Sequence, residues 1–187
     1  MSSQGTAQKR ARVSANTFPE KYVAARVTLN GHEVDVHNAH LPPGVSRGVI
    51  KAHAFEAIAR RVAGDSDNPK LLCGDFNAPW REDADGPVTV FRRKWPEDIK
   101  SRWIEAEKGV VANAQMRDVY RDVHDPRDDF PASHVTGDTA HRYDYIFATA
   151  DLNTESCEYL GDWLDRDKPD GRLSDHAPVV AELSLAA

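Results

Sequence analysis

Leu71-Leu72-Cys73-Gly74-Asp75-Phe76-Asn77-Ala78 passes from three apolar residues directly into a polar turn. A short apolar run bounded by turn residues reads as a buried strand, and Gly74 to Asn77 lead the chain out of it. Upstream, Ile50, Ala54, Ile58 and Val62 recur every four residues with Phe55 and Ala59 beside them. That stripe predicts a helix over 46–63 with one buried face, and Gly64 is placed to end it. Further upstream, Val23, Ala25, Val27 and Leu29 alternate with Tyr22, Ala24, Arg26 and Thr28, and Asn30-Gly31 signals a hairpin. The return strand, 32–41, puts Val34, Val36, Asn38 and His40 on one face and His37 on the other with Asp35. Pro42-Pro43-Gly44 stops it.

Downstream the signals are sparser. Residues 78–96 contain Pro79, Gly86, Pro87 and Pro96 and read as a loop. Helical pieces are expected near 97–107 and 114–122, and a loop rich in Asp, Pro and His runs to His141. Strands follow at 143–149, 155–160 and 177–183, with a charged loop over 165–174. The order β-β-α-β-loop-α-β-β-β predicts an α/β (α+β) sandwich built on a mostly antiparallel sheet.

The composition sets the outer limits. At 187 residues, 40% hydrophobic and 29% charged, the chain has the make-up of one globular domain. Residues 1–18 are polar and aperiodic and read as a disordered tail, leaving 19–187 as the domain. No secretory h-region or membrane-length apolar run is present, so a cytoplasmic chain without membrane contact is expected. Cys73 and Cys157 make neither a disulfide framework nor a zinc motif and read as reduced thiols. The net charge of −6 argues against nucleic acid being held by a basic coat. It leaves room for a phosphodiester enzyme whose metal supplies the positive charge.

Four polar clusters fall at predicted strand ends: Asn38 with His40, Asp75 with Asn77, Arg142 with Asp144, and Asp175 with His176. A sheet rim presents such side chains to a crevice. Together they offer oxygen ligands for Mg²⁺, a carboxylate to activate water and an imidazole to face phosphate charge. Taken singly, each has an ordinary structural reading, such as an Asx turn at Asp75-Phe76-Asn77.

These same residues resemble the endonuclease/exonuclease/phosphatase superfamily, the DNase-I-like four-layer α/β sandwich. Val36-His37-Asn38-Ala39-His40-Leu41 is similar to its Asn-Thr-His-Leu strand end. Leu72-Cys73-Gly74-Asp75-Phe76-Asn77-Ala78 is similar to its Gly-Asp-Phe-Asn turn, and Arg142-Tyr143-Asp144-Tyr145-Ile146 to its Arg-x-Asp-Tyr-Ile strand. Ser174-Asp175-His176-Ala177-Pro178 is similar to its Ser-Asp-His-x-Pro signature. The resemblance implies a Mg²⁺-dependent phosphodiesterase, foremost a nuclease, with Mn²⁺ as a substitute ion. It implies catalytic roles for His40, Asp75, Asn77, Asp144 and His176, and metal binding by Asp75, Asn77 and Asp175. Substrate contacts are expected from Asn38, Asn77, Trp80 and Arg142.

The family's opening strand with its Asn, and the strand ending in Gln-Glu whose Glu binds metal, have no counterpart here. The chain therefore resembles the C-terminal portion of the domain. Two alternatives follow: a catalytically impaired fragment or binding module, and a phosphoesterase acting on phospholipid or another small phosphoester. With about one sheet's worth of residues, Val34, Val36, Leu71, Ile146 and Val179 are expected to form an uncovered apolar face. An N-terminal half or self-association would cover it. Weak metal binding and little DNA cleavage by this chain alone are expected for the same reason.

Other candidates carry more ordinary readings. His134 and His141 read as solvated loop histidines. Trp95, Trp103 and Trp163 read as buried or half-buried, with Trp80 kept as a substrate contact. Arg92-Arg93-Lys94 reads as a solvated basic run that could meet a nucleic-acid backbone.

Overall fold

The computed structural model describes residues 21–64, 66–83, 86–89, 115–125, 131–136, 139–164 and 174–186, together with Asp98, Ser101 and Glu105. Strands β1 (Tyr22–Leu29) and β2 (His32–His40) form the hairpin signalled by Asn30-Gly31, both of which take positive φ, +52° and +88°. Helix α1 (Gly44–Val62) then carries the chain back so that β3 (Lys70–Asp83) runs parallel to β2. A parallel pair requires such a crossover. The remaining elements are β4 (Gly86–Thr89), β5 (Met116–Asp118), α2 (Val119–Val123), β6 (His134–Thr136) and β7 (Thr139–Thr149). They are followed by β8 (Leu152–Tyr159), a short 3₁₀ helix (Gly161–Leu164) and β9 (Val179–Leu185).

The larger sheet has the order β1-β2-β3-β7-β5, with β4 on β3 and β6 on β7. Every pair in it except β2–β3 is antiparallel, as the sequence predicts. A second sheet is the antiparallel pair β8–β9. One face of the larger sheet packs Ala39, Leu72, Phe76, Tyr145 and Phe147 against Phe55, Ile58, Ala59 and Val62 of α1. The other face packs Val34 and Ala148 against Leu152 and Cys157 of β8, with Val119 and Tyr120 beside them. Among the described residues the chain therefore makes three layers: helix, large sheet, small sheet.

Several expectations change. The loop expected over 78–96 is in part β3 continuing to Asp83 and pairing with β4. The Gly74–Asn77 turn is a register shift inside that long strand rather than an exit from it. The helix expected over 114–122 is a three-residue strand followed by a five-residue helix. Residues 1–18, the basic run 92–94, the side chains of Trp80, Trp95 and Trp103, and most of the helix expected at 97–107 lie outside the described residues. Val34 is buried and Val36, Leu71, Ile146 and Val179 are half-buried against β8–β9, so these do not form the open apolar face. Exposed large apolar side chains include three on β1, Val23, Val27 and Leu29, at 60, 40 and 45% accessible. No described helix is long and apolar enough to cross a membrane.

Candidate active site

Strand register assembles the site. His40 lies opposite Asp75, and Asp75 lies opposite Asp144. Directly paired residues share a face, so three adjacent strands present His40, Asp75 and Asp144 as one row. The next row, two residues along, is Asn38, Cys73 and Ile146. His37 points the other way, where it is buried with Nδ1 hydrogen-bonded to the Tyr22 hydroxyl at 2.6 Å. The alternation argument thus separates the two histidines as expected.

The row is held from below. Gly74 has φ +135°, and a Cβ there would lie 1.9 Å from the Ala39 carbonyl oxygen, so only glycine lets β3 approach β2 at this point. The bulge that follows turns Asn77 to φ +48°, a conformation asparagine tolerates. Asn77 donates its backbone N–H to Asp75 Oδ1 at 2.8 Å and its side-chain amide to Asp75 Oδ2 at 2.7 Å. The same amide donates to the Leu41 carbonyl at 2.9 Å. Lys51 of α1, fully buried, donates its ammonium to the Asn77 carbonyl. Asn77 therefore positions Asp75, and both its amide hydrogen bonds are committed within the protein.

His176 comes from the segment before β9. Its Nδ1 lies 2.7 Å from Asp144 Oδ2, and an Nδ1–H donated to that carboxylate leaves Nε2 as the acceptor atom. Ser174 and Ser133 supply the frame: the His176 amide donates to Ser174 Oγ at 3.0 Å. The buried Ser133 Oγ accepts from the amides of Tyr143 and Asp144 at 2.8 and 3.0 Å. The Ala177 amide donates to the Ser133 carbonyl at 2.8 Å, which clamps the His176 segment to the start of β6. His40 Nε2 lies 3.5 Å from Asp75 Oδ2 and completes the chain of contacts.

Asp75 is where the electrostatics are strained. Burial, and then the facing Asp144 carboxylate, raise its pKa above the ordinary aspartate value. Two carboxylates opposed on one sheet face repel, and a divalent cation between them would relieve both. Asp75, Asp144 and His176 each place a ligating atom within 4.8 Å of the others. Two carboxylates with open positions for water fit a hard cation such as Mg²⁺, so the donor set suits the ion the sequence implies. Asp175 stands outside this group: it is exposed and gathers instead with His134 and His176.

Asn38 lines the cleft as expected, but Arg142 does not reach it. Arg142 is fully buried, bidentate on Asp118 at 2.5 and 2.7 Å, and bonded through Nε to the Tyr159 hydroxyl at 2.8 Å. It is an internal brace, tying the start of β7 to β5 and β8. Two residues read as ordinary belong here instead. His134, expected in a solvated loop, bridges to His176 across a β-bridge with ring centroids 4.6 Å apart. Trp163 lines a cleft of about 370 Å³ together with Asn38, Cys73, Asp144, His176 and Val179. Neither placement has a sequence signal, because each depends on the fold bringing distant segments together.

A family model described as Endonuclease/Exonuclease/phosphatase family matches residues 6–176. Among solved structures the chain is similar to the catalytic domain of human Nocturnin, with 18% identity, 88% of this chain and 53% of that chain covered, and a TM-score of 0.59. It is similar to an AP endonuclease from Archaeoglobus fulgidus, with 21% identity, 87% and 65% coverage, and a TM-score of 0.60. It is also similar to a mannosyl-6-phosphatase from Bacteroides thetaiotaomicron, with 17% identity, 88% and 57% coverage, and a TM-score of 0.56. No curated protein matches the sequence. At these identities the structural likeness shows a shared fold, and the chain spans 53 to 65% of the length of these three neighbours.

Proposed function

Because the chain belongs to the endonuclease/exonuclease/phosphatase family, we propose that its cleft hydrolyses a phosphodiester bond with a divalent cation, Mg²⁺ or Mn²⁺, the substrate being nucleic acid. The observation that carries this reading is the Asp75–Asp144–His176 triangle on one sheet face. Asp75 and Asp144 would hold the cation, which supplies positive charge at the phosphoryl oxygen and makes bound water more acidic.

The chain's own residues divide the remaining work. Asp144 fixes the His176 tautomer, so that Nε2 faces the cleft and, once protonated, meets the charge that builds on phosphorus oxygens. Asp75, one of its carboxylate oxygens facing the cation, takes the proton of the attacking water with the other. Asn77 fixes the Asp75 oxygens by two hydrogen bonds. His40, half-exposed beside Asp75, is placed to give a proton to the leaving oxygen.

The test is hydrolysis of bis(4-nitrophenyl) phosphate by the 187-residue chain with Mg²⁺ or Mn²⁺. Asp75→Ala and His176→Ala should each lower the rate by about 10²- to 10⁴-fold, the range of a general acid or base. Equal rates in parent and both variants would refute the roles. A second reading, binding without turnover, is favoured by the donor set gathered among the described residues, two carboxylates and one imidazole. Under it, the variants would lose phosphate affinity while no hydrolysis is detected in the parent.

A further inference from the structure

Trp163 is a large aromatic residue left 38% accessible at the rim of the cleft rather than packed into a core. The 3₁₀ helix that carries it is anchored at its N-terminal side. The Leu160 amide donates to the Pro178 carbonyl at 2.9 Å, two residues from His176, and the Trp163 amide donates to the Leu160 carbonyl at 3.1 Å. The indole is therefore tied to the same segment that delivers the phosphate-facing imidazole.

The cleft is lined by the charged or ionisable Asp144 and His176 and by the apolar Trp163, Ile146, Pro178 and Val179. Asn38 also lines it, its amide donating to Cys73 Sγ at 3.4 Å. Asn38 and Ile146 sit in the row next to His40, Asp75 and Asp144. Two residues along a strand span about 6.6 Å. That step is comparable to the reach from a phosphate, across one sugar, to its base.

We propose that Trp163 forms a nucleobase subsite: the base of the nucleotide whose phosphate sits at His176 stacks on the indole, with the Asn38 amide facing its edge. This rests on the phosphodiester reading above and narrows its substrate to a nucleotide-bearing ester. An indole face is tolerant of every base, so the subsite selects for a base without selecting which. A phospholipid headgroup offers no planar π-face for it, and a hexose phosphate offers only C–H edges.

The experiment is an NMR titration of the 187-residue chain, separately with adenosine 5′-monophosphate, mannose 6-phosphate and inorganic phosphate. It is repeated for Trp163→Ala, Trp163→Phe and His176→Ala. In the parent, adenosine 5′-monophosphate should bind more tightly than either other probe. Trp163→Ala should collapse its advantage over inorganic phosphate by about 5- to 150-fold, the worth of one stacked base, and Trp163→Phe should keep most of it. Equal affinities for all three probes in the parent would overturn the subsite. So would an advantage that survives Trp163→Ala, or a mannose 6-phosphate affinity that matches the nucleotide and falls equally in that variant. His176→Ala separates the two claims. If inorganic phosphate binds it as well as the parent, the phosphodiester reading fails, whereas a phosphate loss there with no Trp163 effect sinks the subsite alone.

Discussion

Asp75 concentrates the account at the scale of single residues. Its raised pKa comes from burial first and the Asp144 charge second. Carbon-13 titration of its carboxyl should place its midpoint above the ordinary aspartate value, and Asp144→Asn should bring it down. Both measurements belong to the metal-free protein, and adding Mg²⁺ should lower the midpoint again; a midpoint unshifted without metal would contradict the Asp75–Asp144 repulsion. His37 makes the opposite prediction for stability. Burial lowers its pKa, and Tyr22, hydrogen-bonded to its Nδ1, has its own pKa pushed up to about 12 by burial. The unfolded chain then binds the proton more readily, so stability should rise with pH between the lowered folded pKa and about 6.5, and fall on acidification through that window. Chemical denaturation at several pH values should show a flatter dependence in His37→Gln; identical slopes would contradict this. Period-2 alternation in β2 is enough to tell His37 from His40 in the sequence. Arg142 is not legible in that way, because its partner Asp118 is 24 positions upstream on another strand. Removing one member of a buried pair typically costs about 3–5 kcal/mol. Arg142→Ala should therefore lower the melting temperature by roughly 6–20 °C, at about 2–4 °C per kcal/mol for a chain this long. A change under about 2 °C would show the brace to be dispensable.

At the scale of elements, the β2–α1–β3 unit decides where the chemistry stands. The hairpin signal, the four-residue helical stripe and the apolar run before Gly74 are all local, and the sequence read the hairpin, the helix and the start of β3 with bounds within a few residues of those observed. The continuation of β3 was hidden by Pro79, a residue that ordinarily ends a strand. A register shift between Asp75 and Trp80 lets the strand resume beyond it. The three-residue β5 is too short for any periodicity to declare it. Gly74 is the hinge of this unit. Gly74→Ala should cost about 1–3 kcal/mol from the backbone conformation alone, and more from the clash with Ala39. Thermal unfolding should show a loss of at least several degrees together with lost phosphate binding, whereas a variant as stable as the parent would mean that β2 and β3 part easily.

At the scale of the whole molecule, among the described residues one face of the large sheet packs against α1 and the other against β8–β9. The accessible Val23, Val27 and Leu29 form an apolar strip along β1. Such strips favour association. Replacing all three with Thr should reduce dye binding and concentration-dependent association while changing stability little, since each is largely solvated; unchanged dye binding would place the sticky surface elsewhere. The sequence anticipated an open face but assigned it to the central strands, because nothing local says that β8–β9 folds over Val34 and Ala148. The central claim is tested most directly by nicking of supercoiled plasmid by the 187-residue chain in Mg²⁺, with a chelator control and with Asp75→Ala and His176→Ala in parallel. With two carboxylates and one imidazole gathered for the ion among the described residues, nicking should be slow and stopped by the chelator and by either substitution. Nicking that persists with chelator or in the His176→Ala protein, or none at any protein concentration, would contradict it.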